Sequence, residues 1–217
     1  MTSNWKITQQ RSKYHFNTAI MDPKWDTVVE LGHITPTWNT ALDDVIDRAG
    51  PVTWRTRGKP NDSLIRTNQE HDQEEYDLES YGMNKNYVVS DLTYDVPAVF
   101  QDLADQFALE SLMTRIHVQH PGQVWNLHLD KLEKWMPDDP NKVVRYFIQL
   151  TDWQMGHFWN YGNYTWSHWQ SGNVSTFDWW NVPHSTANAG HGPRVTLQIT
   201  GVKTDNTKKF LAELATK

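Results

Sequence analysis

Cysteine is absent from all 217 residues. That excludes a disulfide framework, a thiolate zinc site, an iron–sulfur cluster and a cysteine nucleophile together, so any metal must be held by histidine and carboxylate. Positive charge is scarce as well: 20 Lys and Arg stand against 26 Asp and Glu, a net charge of −6. This is the wrong sign for an electrostatic footprint on a phosphate backbone, and no nucleic-acid partner is expected. Mean hydropathy is only −0.72, and no window approaches the about 18 apolar residues of a membrane span. The opening residues Met1-Thr-Ser-Asn-Trp-Lys6 lack the apolar stretch of a signal peptide, so a cytoplasmic setting without a membrane partner is expected. Internal repeats and low-complexity linkers are also missing.

Aromatic residues are abundant. Twelve Trp, eight Tyr and seven Phe each bring roughly 150–250 Å² of buriable surface, enough for a core despite the low hydropathy. One domain over 1–217 is expected: helices and loops over 1–113, a β region over 114–202 and a closing helix over 203–217. Residues 57–86, with six acids between Glu70 and Glu79, read as a solvated loop. Ala41, Leu42, Val45 and Ile46 have helical spacing, which Gly50-Pro51 ends. A second helix is predicted from an Asp95 cap through Val99, Leu103, Phe107 and Leu112.

From residue 114 the period falls from 3.6 to 2, and eight strands are predicted at 114–120, 123–130, 143–151, 155–160, 164–169, 174–180, 184–188 and 193–202. The fold class is therefore mainly β with flanking helices, a jelly roll or small double-sheet barrel. Several strands carry a polar row. In Val124-Trp-Asn-Leu-His-Leu-Asp130, alternation sets Asn126, His128 and Asp130 opposite Trp125, Leu127 and Leu129. Arg194, Thr196, Gln198 and Thr200 oppose Val195, Leu197 and Ile199, and Arg145, Phe147 and Gln149 oppose Tyr146 and Ile148. Such rows face either water or a lined cavity; three of them carrying His, Asp and Arg favour the cavity.

His128 and Asp130, at i and i+2 on one face, can offer an imidazole nitrogen and a carboxylate oxygen to one ion. His184, in Val182-Pro-His-Ser-Thr-Ala-Asn188, is the candidate third ligand, and Arg194 follows ten residues later. The Pro121-Gly122 turn, the His128-x-Asp130 pair, His184 56 residues beyond His128, Asn188 and Arg194 together resemble the iron(II)- and 2-oxoglutarate-dependent oxygenases. Within that superfamily the arrangement looks most like the aspartyl/asparaginyl β-hydroxylase and prolyl or small-molecule hydroxylase branches.

The resemblance implies a double-stranded β-helix over 114–202, with His128, Asp130 and His184 as the metal triad for Fe(II). Two neutral imidazoles and one carboxylate would leave the site at net +1, suited to the dianionic cosubstrate 2-oxoglutarate and then O2. Arg194 would clamp the far carboxylate with its planar fork, and Thr196 would add a hydrogen bond. Arg145 is expected to assist the cosubstrate or an acidic substrate, or else to form a surface salt bridge. Asn126 would orient a ligand or the cosubstrate, while Asn188 reads as a turn cap. The implied activity is hydroxylation of a C–H bond in a small-molecule or peptide substrate, with release of succinate and CO2 and an interior walled by Trp125, Phe147 and Phe158. Two other readings stand beside it: a zinc hydrolase on the same three ligands, and a carbohydrate-binding jelly roll stacking sugars on exposed Trp. His117, His120, His157 and His168 could each replace a ligand if the register shifts by one.

Overall fold

The computed structural model describes residues 28–49, 91–93, 96–128, 130, 139, 142–162, 164–179 and 182–216. The acidic stretch 57–86, Asp95 and the side chain of Asn126 lie outside them. Ten strands and three helices follow in chain order: β1 Val28–His33, α1 Asn39–Ala49, β2 Asp91–Thr93, α2 Ala98–Asp105, β3 Glu110–Gln119, β4 Val124–His128, β5 Val143–Gln149, β6 His157–Tyr161, β7 Tyr164–Trp166, β8 Asn173–Phe177, β9 His184–Asn188, β10 Arg194–Val202 and α3 Asp205–Leu214. Every strand pairing is antiparallel.

The strands form a six-stranded sheet, β1-β8-β5-β10-β3-β2, and a four-stranded sheet, β4-β9-β6-β7. From β3 to β10 the chain passes between the two sheets so that every strand but β7, which closes a hairpin with β6, pairs with a partner distant in sequence, which is jelly-roll winding. All eight predicted strands of the β region are present. The amino-terminal region, expected as helices and loops, also supplies β1 and β2, which extend the large sheet at both edges. The barrel's first strand begins at Glu110 rather than 114, because Glu110 still pairs with Val202.

Helix α2 is shorter than its apolar spacing suggested. Pro97 occupies its N-cap position, and after Asp105 the chain turns through Ala108 and Ser111 at φ 49° and 51°, a conformation that cannot continue a right-handed helix. Leu112 consequently lies on β3. Phe107 remains buried, stacked on Tyr146 at 5.1 Å and edge-on to Phe210 of α3 at 4.8 Å. Helix α3 starts with a capping box in which Thr204 and Thr207 satisfy each other's backbone N–H. Its Leu214 carbonyl would meet a Cβ on Gly32 at 2.7 Å, so β1 can approach α3 this closely only with glycine there.

One core lies between the helices and the outer face of the large sheet. Trp38, Val45, Phe100, Leu103 and Phe107 pack on Ile116, Val118, Tyr146, Ile148, Val195, Leu197 and Ile199, each aliphatic contributing about 1.5–3 kcal/mol by leaving water. A second, aromatic cluster of Phe147, Trp159, Tyr161, Trp166, Trp169, Phe177 and Trp179 fills part of the space between the sheets. Among the described residues no helix is long and apolar enough to cross a membrane.

Candidate metal centre

The polar rows face inward. Arg194, Thr196, Gln198 and Arg145 are 3%, 2%, 4% and 5% exposed, and Gln149 and Thr200 are fully buried, which excludes a sandwich whose polar face meets water. The sheet covers its apolar face with helices and turns its polar face toward the second sheet. In β6 the same alternation directs His157, Trp159 and Tyr161 inward and leaves Phe158 43% exposed. Phe158 is therefore not part of the interior wall; Trp159 is.

His128 and His184 are directly paired across β4 and β9, with ring centroids 4.3 Å apart. Strict alternation placed Trp125 on the face opposite His128. Instead, a register irregularity between them adds one residue on β4 and re-aims the strand, as a bulge does. Trp125 Nε1 consequently donates to His128 Nε2 at 3.1 Å. Asp130 lies just past the strand, its N–H donating to the Trp179 carbonyl at 3.2 Å. Its carboxylate lies between the imidazoles: His128 Nε2 to Oδ1 and His184 Nε2 to Oδ2 are both 3.5 Å.

His184 Nδ1 is 3.0 Å from the Val182 carbonyl and can only donate to it, so in the neutral ring Nε2 carries the lone pair. Trp125 N–H can only donate, which likewise makes His128 Nε2 an acceptor. Two nitrogen lone pairs and a carboxylate thus converge, with candidate ligand atoms within 4.8 Å of one another. A donor set of two imidazoles and one carboxylate suits a divalent cation. Burial alone would raise the pKa of Asp130, but the Arg145 guanidinium holds it well below the usual carboxylate range.

Arg145 forms no surface salt bridge. Its Nη1 pairs with Asp130 Oδ2 inside the barrel, and its Nε donates to Thr200 Oγ1 at 3.0 Å. With its amide oriented to satisfy both neighbours, Gln198 accepts from Arg145 Nε and Nη2 at 3.2 and 3.3 Å and donates to His117 Nε2 at 3.0 Å. Burial, then the charges of Arg115, Arg194 and Arg145, keep the His117 imidazole well below its ordinary pKa.

Arg194 occupies a separate part of the interior. Its Nε donates to Gln119 Oε1 at 3.0 Å, its guanidinium lies 4.7 Å over the Trp159 ring, and burial draws its pKa down to about 10. Its Nη1 has no hydrogen-bond partner. Trp159 Nε1, the Tyr161 hydroxyl, Gln149 Nε2 and Ser175 Oγ are also buried and unpartnered. A buried donor without an acceptor costs about 1–3 kcal/mol, so this many in one interior constitutes a demand for acceptor oxygens. Thr196 does not supply the expected additional donor: its hydroxyl donates to Gln149 Oε1, directly across the strands, at 3.1 Å. The group left facing the cavity is the Gln149 amide.

The sequence pattern placed Gln149 on an inward row and offered His117 as an alternative ligand, but Gln119, Trp159, Tyr161 and Ser175 were missed. The same period-2 argument along β3 and β6 would have found Gln119, Trp159 and Tyr161. Asn188 is a turn cap, donating through Nδ2 to the Gln119 and Gly192 carbonyls, both at 2.8 Å, and accepting the Gly190 N–H at 2.9 Å. None of the four alternative histidines replaces a ligand: His117 bonds Gln198, His157 Nε2 bonds the Gly192 carbonyl at 3.2 Å, His168 stacks on Trp153 at 4.4 Å, and His120 is not in the cluster.

No protein-family model and no curated protein matches the chain. Solved structures do. A viral collagen prolyl hydroxylase from Paramecium Bursaria Chlorella virus-1, in its 2OG complex, is 12% identical over 54% of this chain and 81% of its own, at a TM-score of 0.38. A Cupin 2 conserved barrel domain protein from Salinispora arenicola is 11% identical over 57% and 84%, at 0.33. A predicted oxalate decarboxylase from Thermotoga maritima is 14% identical over 42% and 65%, at 0.31. These are distant likenesses, and the fold assignment rests on the strand order: the chain is a jelly-roll barrel enclosing two histidines, an aspartate and a buried arginine whose Nη1 has no hydrogen-bond partner among the described residues.

Proposed function

We propose that this protein is an Fe(II)- and 2-oxoglutarate-dependent oxygenase that hydroxylates a C–H bond in an amino-acid side chain or small metabolite, free or within a peptide. The observation that carries this reading is the enclosure, in one barrel, of a two-histidine, one-carboxylate donor set and an arginine whose Nη1 lacks a partner. His128, Asp130 and His184 would hold the metal. Bound iron, with 2-oxoglutarate and dioxygen, supplies the oxidising power for hydroxylation, and the cosubstrate leaves as succinate and CO2.

The chain's own contribution is binding, orientation and exclusion of water. Arg194 receives the cosubstrate's far carboxylate, fixed by Gln119 on one side and Trp159 beneath, with the Gln149 amide and Tyr161 hydroxyl as further donors. The Val182 carbonyl holds the tautomer of His184 that leaves its Nε2 free to coordinate, while the Trp125 N–H, which donates to His128 Nε2, would have to yield that lone pair to the metal. The aromatic cluster walls the interior and keeps bulk water from the reacting atoms. Neither alternative gains support: Trp159, Trp166, Trp169 and Trp179 are buried rather than displayed for stacking, and zinc hydrolysis gives Arg194 no role.

The test is anaerobic loading with Fe(II) and 2-oxoglutarate, followed by oxygen, with succinate measured with and without candidate substrates. Oxygen-dependent succinate that disappears in the Asp130→Ala, His184→Ala double variant supports the assignment. Succinate release that survives that double variant overturns it.

A further inference from the structure

Arg145 is an unusual neighbour for a ligand carboxylate. Its side chain is 6% exposed, and it meets Asp130 through the same Oδ2 that lies 3.5 Å from His184 Nε2. Thr200 and Gln198 hold the guanidinium in that place. The candidate centre therefore already contains a cation on the anionic member of its donor set.

The charge balance follows. Among Asp130, Arg145 and Arg194, the interior carries a net charge of +1 before anything enters. A dication entering alone would raise this to +3, and a dianion alone would lower it to −1. Entering together, they leave it unchanged. In a low-dielectric interior the first outcome, a tripled like charge, is the costly one, and the dianion removes that cost.

We infer that Arg145 is a positioning residue that shares Asp130 with the bound metal and makes tight divalent-cation binding conditional on the dianionic cosubstrate. Arg145 weakens the bare metal site by competing for Asp130 and repelling the ion, and the incoming carboxylates relieve that repulsion. By linkage, metal and dianion strengthen each other by the same factor. The inference rests on the proposed oxygenase reading, but its test separates the two.

The experiment is anaerobic titration of the full chain with Co(II), followed by cobalt absorption and tryptophan fluorescence, with and without saturating 2-oxoglutarate. The expected result for the natural protein is Co(II) affinity about tenfold or more higher with 2-oxoglutarate present, within the usual range of site–site coupling. Arg145→Gln should bind Co(II) alone about tenfold more tightly and lose most of the coupling, whereas Arg145→Lys, which keeps the charge, should stay near the natural protein. Circular dichroism confirms that each variant is folded, and thermal shift with Co(II) gives a second reading of affinity if Arg145→Gln is unstable without metal, because binding to the folded state raises stability.

Weaker or unchanged Co(II) binding in folded Arg145→Gln, or coupling that persists in it, overturns the inference while leaving the oxygenase reading intact. Tightening in Arg145→Lys equal to that in Arg145→Gln also overturns it, since charge would then not be the cause. If the natural protein binds Co(II) neither alone nor with 2-oxoglutarate, the oxygenase reading fails, and the inference falls with it.

Discussion

The two faces of the six-stranded sheet are both buried at its central strands β5 and β10, yet they are built from opposite chemistry. On β10, Val195, Leu197 and Ile199 join the core beneath the helices, while Arg194, Thr196, Gln198 and Thr200 face the other sheet. The helix-covered face consists of apolar side chains and contributes stability. The inner face retains unpartnered donors and charged groups, an arrangement that costs stability and that the proposed function explains as a ligand site. Burial alone therefore does not distinguish a core from a site; the number of polar groups left unsatisfied does.

The largest expected effect breaks the inner face alone. His184→Ala should reduce oxygen-dependent succinate release to background without disturbing the helix-covered core, as near-native circular dichroism would confirm. On the other face, Leu197→Ala should cost about 2–5 kcal/mol in denaturant unfolding, the usual range for a buried leucine, and leave Co(II) affinity of the folded fraction unchanged. If Leu197→Ala altered metal affinity as strongly as stability, the two faces would not be separable.

Arg194→Met sharpens the contrast. It should raise the 2-oxoglutarate requirement about 10- to 100-fold, the loss of a charge-assisted pair, measured as the half-saturating concentration for succinate release. Its stability should be unchanged or higher by up to about 1 kcal/mol, because a buried unpaired cation is removed. Acid should also affect the inner face first. Burial, foremost, holds His117 and His157 below their ordinary pKa, so as pH falls through about 6.5 the unfolded chain takes up protons that the folded chain refuses. Stability is thus fully present above that pH and declines as the pH falls below it toward 5, as thermal unfolding at stepped pH would record. The smallest effect belongs to Phe158→Ala: an exposed ring should change stability by no more than about 0.5 kcal/mol, whereas Trp159→Ala, one residue on, should cost about 3–5 kcal/mol.

The fold was largely legible because alternation is a local property. The predicted windows found all eight strands of the barrel; alternation suggested the His128–Asp130 pair, while His184 and Arg194 were assigned from their spacing and the family resemblance. Failures arose where local pattern yields to geometry. The bulge between Trp125 and His128 turns a ring expected on the opposite face toward a ligand, and nothing in Val124-Trp-Asn-Leu-His128 announces an extra residue. Thr196 was placed on the correct face but bonds Gln149 across the sheet, a pairing set by register between strands far apart in sequence. Arg145 was seen as polar and inward, but its partner Asp130 lies past the end of another strand, where alternation no longer applies. The apolar run through Leu112 suggested a long α2 because helix and strand can both place such residues inward.

One barrel interior is proposed to gather a cation from one side and a carboxylate from the other. A crystal structure of the protein grown anaerobically with Mn(II) and 2-oxoglutarate, with the metal located by anomalous scattering, decides this. A single manganese peak is expected within coordination distance of His128, Asp130 and His184, with a carboxylate paired with Arg194. A metal bound elsewhere, or an Arg194 that no carboxylate reaches while 2-oxoglutarate is present in the crystal, would contradict it.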